Sequence, residues 1–280
     1  MGCDAVNSDI RDGRGSLASH VQSATHERLV NLYLDLLEQT LTGAILEDVG
    51  FVAVADPNPV HADRYDENVR LIGMDWPSRA VTMVGLKRLR NLRQCAADVL
   101  KNDVSGDFIE TGVWRGGASI YLRALLAAHG VTDRRVWVAD SFAGLPPPNP
   151  VDYPADHGDE LYKVPLLSVS LDEVKKNFTK FNMLDSQVQF LPGWFKDTLL
   201  HAPIEKLAIL RLDGDLYEST IQALTSLYHK VSAGGFVIID DFGLPACRQA
   251  VEDFRAERQI ADELNPIDGM AVFWRKTSGS

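Results

Sequence analysis

Apolar positions along this chain change their period more than once. From His26 they recur at helical spacing: Leu29, Leu32, Tyr33, Leu36, Leu37 and Leu41 fall on one face, and Gly43 can stop the helix. A second amphipathic pattern runs from about Ser78 to Leu100 and turns Val81, Val84, Leu89, Leu92 and Cys95 towards a core. Between the two, residues 50–77 mix proline, aspartate and aromatics without a period and close on Gly73-Met74-Asp75-Trp76-Pro77. Residues 1–23 are small and polar and predict a mobile tail. Residues 24–100 therefore read as a helical extension whose stripe needs a partner, either one end of a sheet or an oligomer interface.

From Asp107 the pattern becomes short apolar runs alternating with helices. The runs predict strands at about 107–111, 135–140, 187–191, 207–213 and 235–241. Helices are expected over about 117–129, from Ser170 with Glu173 at capping-box spacing, from Gly214-Asp215 with Glu218 at the same spacing, and over Pro245–Arg258. A last run, Gly269–Arg275, follows turn chemistry in Asn265-Pro266-Ile267-Asp268 and can return antiparallel. The alternation predicts an α/β fold with a parallel, nucleotide-binding type of sheet, one catalytic domain over 101–276. Only residues 143–168 break the rhythm, from Gly144-Leu145-Pro146-Pro147-Pro148 to Tyr153, His157, Asp159 and Tyr162. So long an irregular insert in a compact domain predicts a lid.

Composition narrows the partners. The net charge of −11 and the lack of a cationic cluster argue against nucleic acid; Lys87-Arg88-Leu89-Arg90 with Arg93 reads as a solvated helix face. Cys3, Cys95 and Cys247 have no metal-ligand spacing and read as free thiols in a reducing cytosol. With no leader-like or spanning apolar stretch, a soluble cytoplasmic enzyme is expected.

The candidate chemistry starts at the first strand and its loop, Gly106-Asp107-Phe108-Ile109-Glu110-Thr111-Gly112-Val113-Trp114-Arg115-Gly116-Gly117-Ala118-Ser119-Ile120. A carboxylate at the strand end would repel a pyrophosphate but attract the ammonium and sulfonium of S-adenosylmethionine (SAM). Glu110, Thr111, Gly112, Gly117 and Ser119 are the candidate seat, with glycines kept only for packing as the plainer alternative. Asp140 ends the second strand, where nucleotide folds grip ribose hydroxyls, and Ser141 and Phe142 follow it. Gly193, Trp194 and Phe195 open the turn expected over the cofactor base, where an aromatic can stack or merely pack.

Asp213 ends the fourth strand, and Asp240 and Asp241 end the fifth. Neighbouring parallel strands bring all three to one edge, and an oxygen-only set suits a hard cation, Mg²⁺ foremost. A SAM site beside such an ion implies methyl transfer to an oxygen, with Asp213 as both ligand and base and His157 as the alternative base. Catechol methyltransferases place a lysine three residues after the first metal aspartate; Leu216 stands there, so the acceptor leans towards an aliphatic alcohol.

With these residues the chain resembles the macrocin O-methyltransferase family, which methylates deoxysugar hydroxyls of macrolide and aminocoumarin antibiotics. The resemblance spans about residues 30–275. It is carried by the segments 73–77 and 106–117 quoted above, Ala139-Asp140-Ser141-Phe142-Ala143-Gly144-Leu145-Pro146, Phe190-Leu191-Pro192-Gly193-Trp194-Phe195-Lys196-Asp197-Thr198-Leu199, Leu212-Asp213-Gly214-Asp215-Leu216-Tyr217-Glu218-Ser219-Thr220 and Ile239-Asp240-Asp241. It implies a class I SAM-methyltransferase (Rossmann-like) fold, a seven-stranded mostly parallel sheet with an antiparallel last strand. It also implies a metal triad at Asp213, Asp240 and Asp241, a base at Asp213, a ribose carboxylate at Asp140 and a glycoside substrate, while the unpaired apolar stripe from Leu29 to Leu41 predicts a homodimer or larger assembly. One departure is Val81 in Ala80-Val81-Thr82-Met83, where the family usually has histidine. A phenol or polyketide hydroxyl as acceptor, a NAD-dependent oxidoreductase and a non-catalytic SAM module remain as alternatives; Glu110 opposes NAD, and the aspartate triad opposes a silent module.

Overall fold

The computed structural model describes residues 9–52 and 59–277, with side chains from residue 24 onward, so Cys3 and the first eight tail positions lie outside the described residues. The chain divides into two units, residues 1–37 and 38–280. The first is helical: α1 (Asp9–Leu41) begins well before His26, so the expected tail is helical from Asp9. Residues 9–23 contain no proline, and extending an existing helix gains a hydrogen bond for each residue ordered. Leu29, Leu32 and Leu36 stand exposed on it. The last turn of α1 belongs to the second unit and ends at Gly43, at φ +71°.

The second unit opens with strands β1 (Gly50–Val52), β2 (Val60–His61) and β3 (Trp76–Pro77), antiparallel in the order β2-β1-β3, with α2 (Glu67–Leu71) between the last two. Strands this short carry no readable period, so 50–77 looked irregular in sequence. Buried Arg70 binds Asp75 through Nε (2.8 Å) and Nη2 (2.6 Å) and the Asp48 carbonyl through Nη2 (2.7 Å). Helix α3 (Leu86–Lys101) starts later than expected. Gly85 occupies its N-cap, and a Cβ on Gly73 would lie 2.6 Å from the Gly85 nitrogen, so residues 78–85 form a loop packed on another loop.

The main sheet follows the predicted alternation: β4 (Asp107–Thr111), α4 (Gly117–Ala128), β5 (Val136–Asp140), α5 (Leu171–Lys180), β6 (Val188–Pro192), α6 (Phe195–Thr198), β7 (Leu207–Leu212), α7 (Tyr217–Leu227), β8 (Val231–Ile239), α8 (Pro245–Glu257), β9 (Asn265–Pro266) and β10 (Val272–Arg275). Seven strands stand in the order β6-β5-β4-β7-β8-β10-β9. The first five pair parallel, and β10 runs antiparallel to β8 and to β9. This is the Rossmann-like sheet the sequence implied. Central strands covered on both faces read as continuous apolar runs, as in Leu207-Ala208-Ile209-Leu210, and Arg211 interrupts that run at 1% exposure. Chain order reverses between β4 and β7, where open α/β sheets form a crevice.

Residues 143–168 contain three 3-10 turns and line that crevice. Trp114 Nε1 donates to the Leu166 carbonyl (2.8 Å), and fully buried Asp156 accepts the Tyr217 (2.6 Å) and Glu218 (3.0 Å) amides. Asp156 therefore caps α7 from outside the helix. The capping box expected of Asp215 and Glu218 is not formed: Leu216 is the N-cap, and Asp215 sits at φ +58°. At α5 the expectation holds, with Ser170 Oγ accepting the Glu173 amide at 3.3 Å.

Candidate active site

A cleft of about 1000 Å³ opens at the carboxyl edge of the sheet. Its floor is the switch point: Gly112 follows β4 at φ +83°, and a Cβ there would lie 1.6 Å from the Asp213 carbonyl, so no other residue lets the two strand-end loops touch. Trp114, Phe142 and Asp215 also take positive φ in these strand-to-helix loops, at +47°, +54° and +58°. Left-handed backbone at non-glycine residues costs about 1–3 kcal/mol each and tends to cluster at functional sites.

On the β5 side, Asp140 accepts the Val113 amide at Oδ2 (2.7 Å) and the Phe142 amide at Oδ1 (2.6 Å). Burial raises its pKa, and those amides partly oppose the rise. Ser141 donates to the Gly144 carbonyl (2.6 Å) and turns the chain into the insert. Trp194 and Phe195 close this end of the cleft. Other candidates serve the cleft from behind it. Thr111 and Ser119 are fully buried, and Ser119 Oγ donates to Glu110 Oε2. Gly117 donates its amide to the Val81 carbonyl (2.9 Å), so protein covers the α4 N-terminus where ligand approach was expected. Phe142 packs on Phe190 with ring centres 6.4 Å apart, and Gly193 supports the turn by donating to the Asp140 carbonyl (2.9 Å). None of Thr111, Gly117, Ser119, Phe142 and Gly193 lines the cleft. Val81 does not line it either, whereas Thr82 and Met83 beside it do.

Glu110 reaches the cleft with both oxygens engaged, Oε1 by Arg211 Nη1 (2.5 Å) and Oε2 by Ser119. Burial pushes its pKa up to about 7 against the pull of Arg211. It holds Arg211 and faces the cleft, and each of its oxygens keeps a second lone pair.

The acid side is organised by two arginines. Arg211 also binds Asp213 Oδ2 (2.9 Å) and Asp240 Oδ1 (2.5 Å), while Arg88 Nη1 binds Asp240 Oδ2 (2.6 Å) and Arg88 Nε binds Asp268 (2.8 Å). Asp213, Asp240 and Asp241 offer oxygens that all lie within 4.8 Å of one another. Burial, joined by the charge of Asp240, raises Asp213 to about 6; burial and Asp213 raise Asp215 to about 8; Asp241 is raised well above the usual range by burial and Asp215. Asp240 alone is lowered, because Arg211 and Arg88 outweigh its burial. Two guanidiniums thus leave excess negative charge at the sheet edge. Each Asp240 oxygen keeps a second lone pair, so the three aspartates fit a hard divalent cation.

Arg88, Arg211 and Asp215 escaped the sequence reading. A charged residue inside an apolar central strand was the signal for Arg211. Arg88 is buried, which corrects the solvated face at that position; Lys87 and Arg90 are exposed as expected, and Arg90 and Arg93 reach Glu38 at 3.4 and 3.3 Å. His157 is exposed and does not line the cleft. Cys95 and Cys247 are buried free thiols. No helix among the described residues is long and apolar enough to cross a membrane.

The family model of macrocin-O-methyltransferase (TylF) matches residues 30–276. The chain belongs to the macrocin O-methyltransferase family. The enzyme is 52% identical over 250 residues to demethyldecarbamoylnovobiocin O-methyltransferase of Streptomyces niveus, across 88% of this chain and 94% of that one. It is 46% identical over 252 residues to mycinamicin III 3''-O-methyltransferase of Micromonospora griseorubida, across 89% and 98%. Its fold matches the solved O-methyltransferase NovP with a TM-score of 0.83 at 50% identity, covering 89% of this chain and all (100%) of that one. It is a SAM-dependent O-methyltransferase.

Proposed function

We propose that this enzyme methylates a sugar hydroxyl of a glycosylated natural product, with Mg²⁺ held by Asp213, Asp240 and Asp241 and with Asp213 as the base. The observation that carries the reading is the convergence of those three carboxylates at the switch point, beside Gly112 and Asp140. The named relatives methylate novobiocin and mycinamicin precursors, which supports a glycoside acceptor. SAM supplies an electrophilic methyl group, and Mg²⁺ supplies Lewis acidity that makes an alcohol easier to deprotonate.

The chain's own residues do the rest. Asp140, oriented by the Val113 and Phe142 amides, presents its remaining lone pairs for ribose hydroxyls, and Trp194 or Phe195 flanks the base. Ser119 steadies Glu110, Glu110 holds Arg211, and Arg211 holds Asp213 by one oxygen, leaving the other for the acceptor proton. Leu216, buried at 1% exposure, stands where a lysine would offer an amine base, consistent with a carboxylate in that role. We also assign homo-oligomer formation to the exposed leucines of α1, which light scattering at micromolar concentration would test.

The test is a panel of antibiotic glycosides and their aglycones incubated with SAM and read by mass gain of one methyl. Turnover of a glycoside that stops with EDTA and returns with Mg²⁺ is expected. Methylation of the free aglycone, or full activity in EDTA, would overturn the acceptor or the metal part respectively.

A further inference from the structure

The walls of the cleft differ along the sheet edge. Trp194 follows β6, Asp140 ends β5, Gly112 follows β4, Asp213 follows β7, and Asp240 and Asp241 follow β8, so the cofactor-side groups and the acid cluster succeed one another. Beyond the acid cluster, towards β10, stands Met270, and Met74 and Met83 line the same cleft. The chain has five methionines, so this cleft takes more than half of them. Methionine is unbranched and polarisable and adapts to irregular apolar shapes, as on promiscuous binding surfaces.

Met270 lies far in sequence from Met74 and Met83, and one side chain joins its segment to that of Met74. Arg88, in the first turn of α3, sends Nη2 to the Ile72 carbonyl (3.1 Å), beside Gly73 and Met74. Its Nε meets Asp268 (2.8 Å), whose other oxygen accepts the Met270 (2.8 Å) and Ala271 (2.8 Å) amides. Its Nη1 meets Asp240 (2.6 Å), and the Met270 carbonyl accepts the Gly243 amide (2.7 Å) just past Asp241. Gly73 packs under Met83, where a Cβ would lie 2.9 Å from the Met83 carbonyl. All the guanidinium's nitrogens are used, and its planar fork spreads three donors over three separated acceptors, whereas an ammonium offers its donors from a single nitrogen.

We propose that Arg88 is a positioning residue that ties an adaptable methionine wall, the subsite for the apolar body of the acceptor, to the Asp240 end of the acid cluster. This rests on the glycoside reading only for the nature of the acceptor. The wall distinguishes little among apolar shapes, so selectivity lies in the part of the acceptor that meets the acid cluster.

The test compares wild type with Arg88→Met, Arg88→Lys and Asp268→Asn, using the acceptor that wild type is found to methylate. Affinity for S-adenosylhomocysteine is measured by calorimetry and acceptor KM and kcat by mass spectrometry. Arg88→Met is expected to raise acceptor KM by about tenfold or more, with cofactor affinity within about twofold of wild type, as loss of an acceptor-side contact requires. Arg88→Lys, which keeps the charge, should fall between them and guards against a variant that fails to fold. Arg88→Met with Asp268→Asn should be no worse than the worse single change, because both cut one connection. Unchanged acceptor KM in folded Arg88→Lys and Asp268→Asn would overturn the inference, as would an equal loss of cofactor affinity. If wild type methylates no glycoside but does methylate another acceptor, the function proposed above fails while Arg88 is still judged on that acceptor.

Discussion

On the β5 side of the cleft a single carboxylate, Asp140, is met by two backbone amides, whereas on the acid side Asp213, Asp240 and Glu110 bind Arg211, Asp240 also binds Arg88, and Asp241 accepts the Asp215 amide beside them. The first arrangement is complete: the loop after β4 supplies the Val113 amide and the loop after β5 supplies that of Phe142. The second is incomplete by design of its charges. Its arginines neutralise Asp240 and leave Asp213, Asp215 and Asp241 holding protons more tightly than free aspartates do. A site of the first kind binds through preformed geometry, and one of the second kind binds through charge it lacks.

The largest way to sharpen this contrast is to remove basicity on the acid side. Asp213→Asn keeps an oxygen and nearly the same volume but cannot take a proton. Loss of a general base typically costs about 10²–10⁴ in rate, so kcat should fall by that order while S-adenosylhomocysteine affinity stays close to wild type. Near-normal kcat at saturating Mg²⁺ would remove Asp213 as the base.

A smaller effect is expected across the cleft. Asp140→Ala leaves the Val113 and Phe142 amides without their acceptor and removes the group assigned to the ribose. Charge-assisted hydrogen bonds are worth about 1.5–3 kcal/mol each, so cofactor affinity should weaken by roughly tenfold to a hundredfold, with kcat at saturating SAM less affected. Calorimetry showing unaltered affinity would mean that Asp140 only shapes its loop.

How legible each side was in the sequence follows from the same difference. Asp140, Gly112 and the strand-end triad were readable because strand period and loop spacing place them, and parallel strands carry their last residues to one edge. Arg88 was not, since its partners Asp240 and Asp268 are 152 and 180 positions away and nothing local distinguishes a buried arginine on a helix from a solvated one. Helix caps failed in the same way. Ser170 caps its own helix and was found, while α7 is capped by Asp156, 61 positions earlier. Gly117 and Ser119 had the right motif and a different task, because the loop at Val81 covers the helix end that the motif alone leaves open.

The acid side should also reveal itself in stability. Glu110, Asp213 and Asp215 have folded-state pKa values of about 7, 6 and 8, above their ordinary values of 4.5, 3.8 and 3.8. The folded chain thus keeps protons that the unfolded chain releases, and stability without metal is lost progressively as pH rises from about 4, where the unfolded carboxyls ionise, through the folded values to about 8. Asp240 acts in the opposite sense, and only as pH falls through its lowered value. Tm in chelator should therefore decline between about pH 4 and 8, and added Mg²⁺ should reduce the decline by balancing the same charges. A level Tm in chelator would show the charge to be balanced within the protein already.

The smallest effect tests the joint between the sides, the insert that forms the outer wall. Asp156 accepts two orphan amides of α7, directly after the Asp213-Gly214-Asp215 turn, at 2.6 and 3.0 Å and in full burial. Removing an N-cap acceptor costs about 0.5–2 kcal/mol, so Asp156→Ala should lower stability by that order in chemical denaturation. Asp156→Asn, which can still accept one of the two bonds, should lie closer to wild type. Because the cap is donated by the insert, its loss should also speed proteolysis within 143–168 at temperatures well below Tm. Equal proteolysis of Asp156→Ala and wild type would show that Trp114, through the Leu166 carbonyl at 2.8 Å, is enough to hold the wall in place.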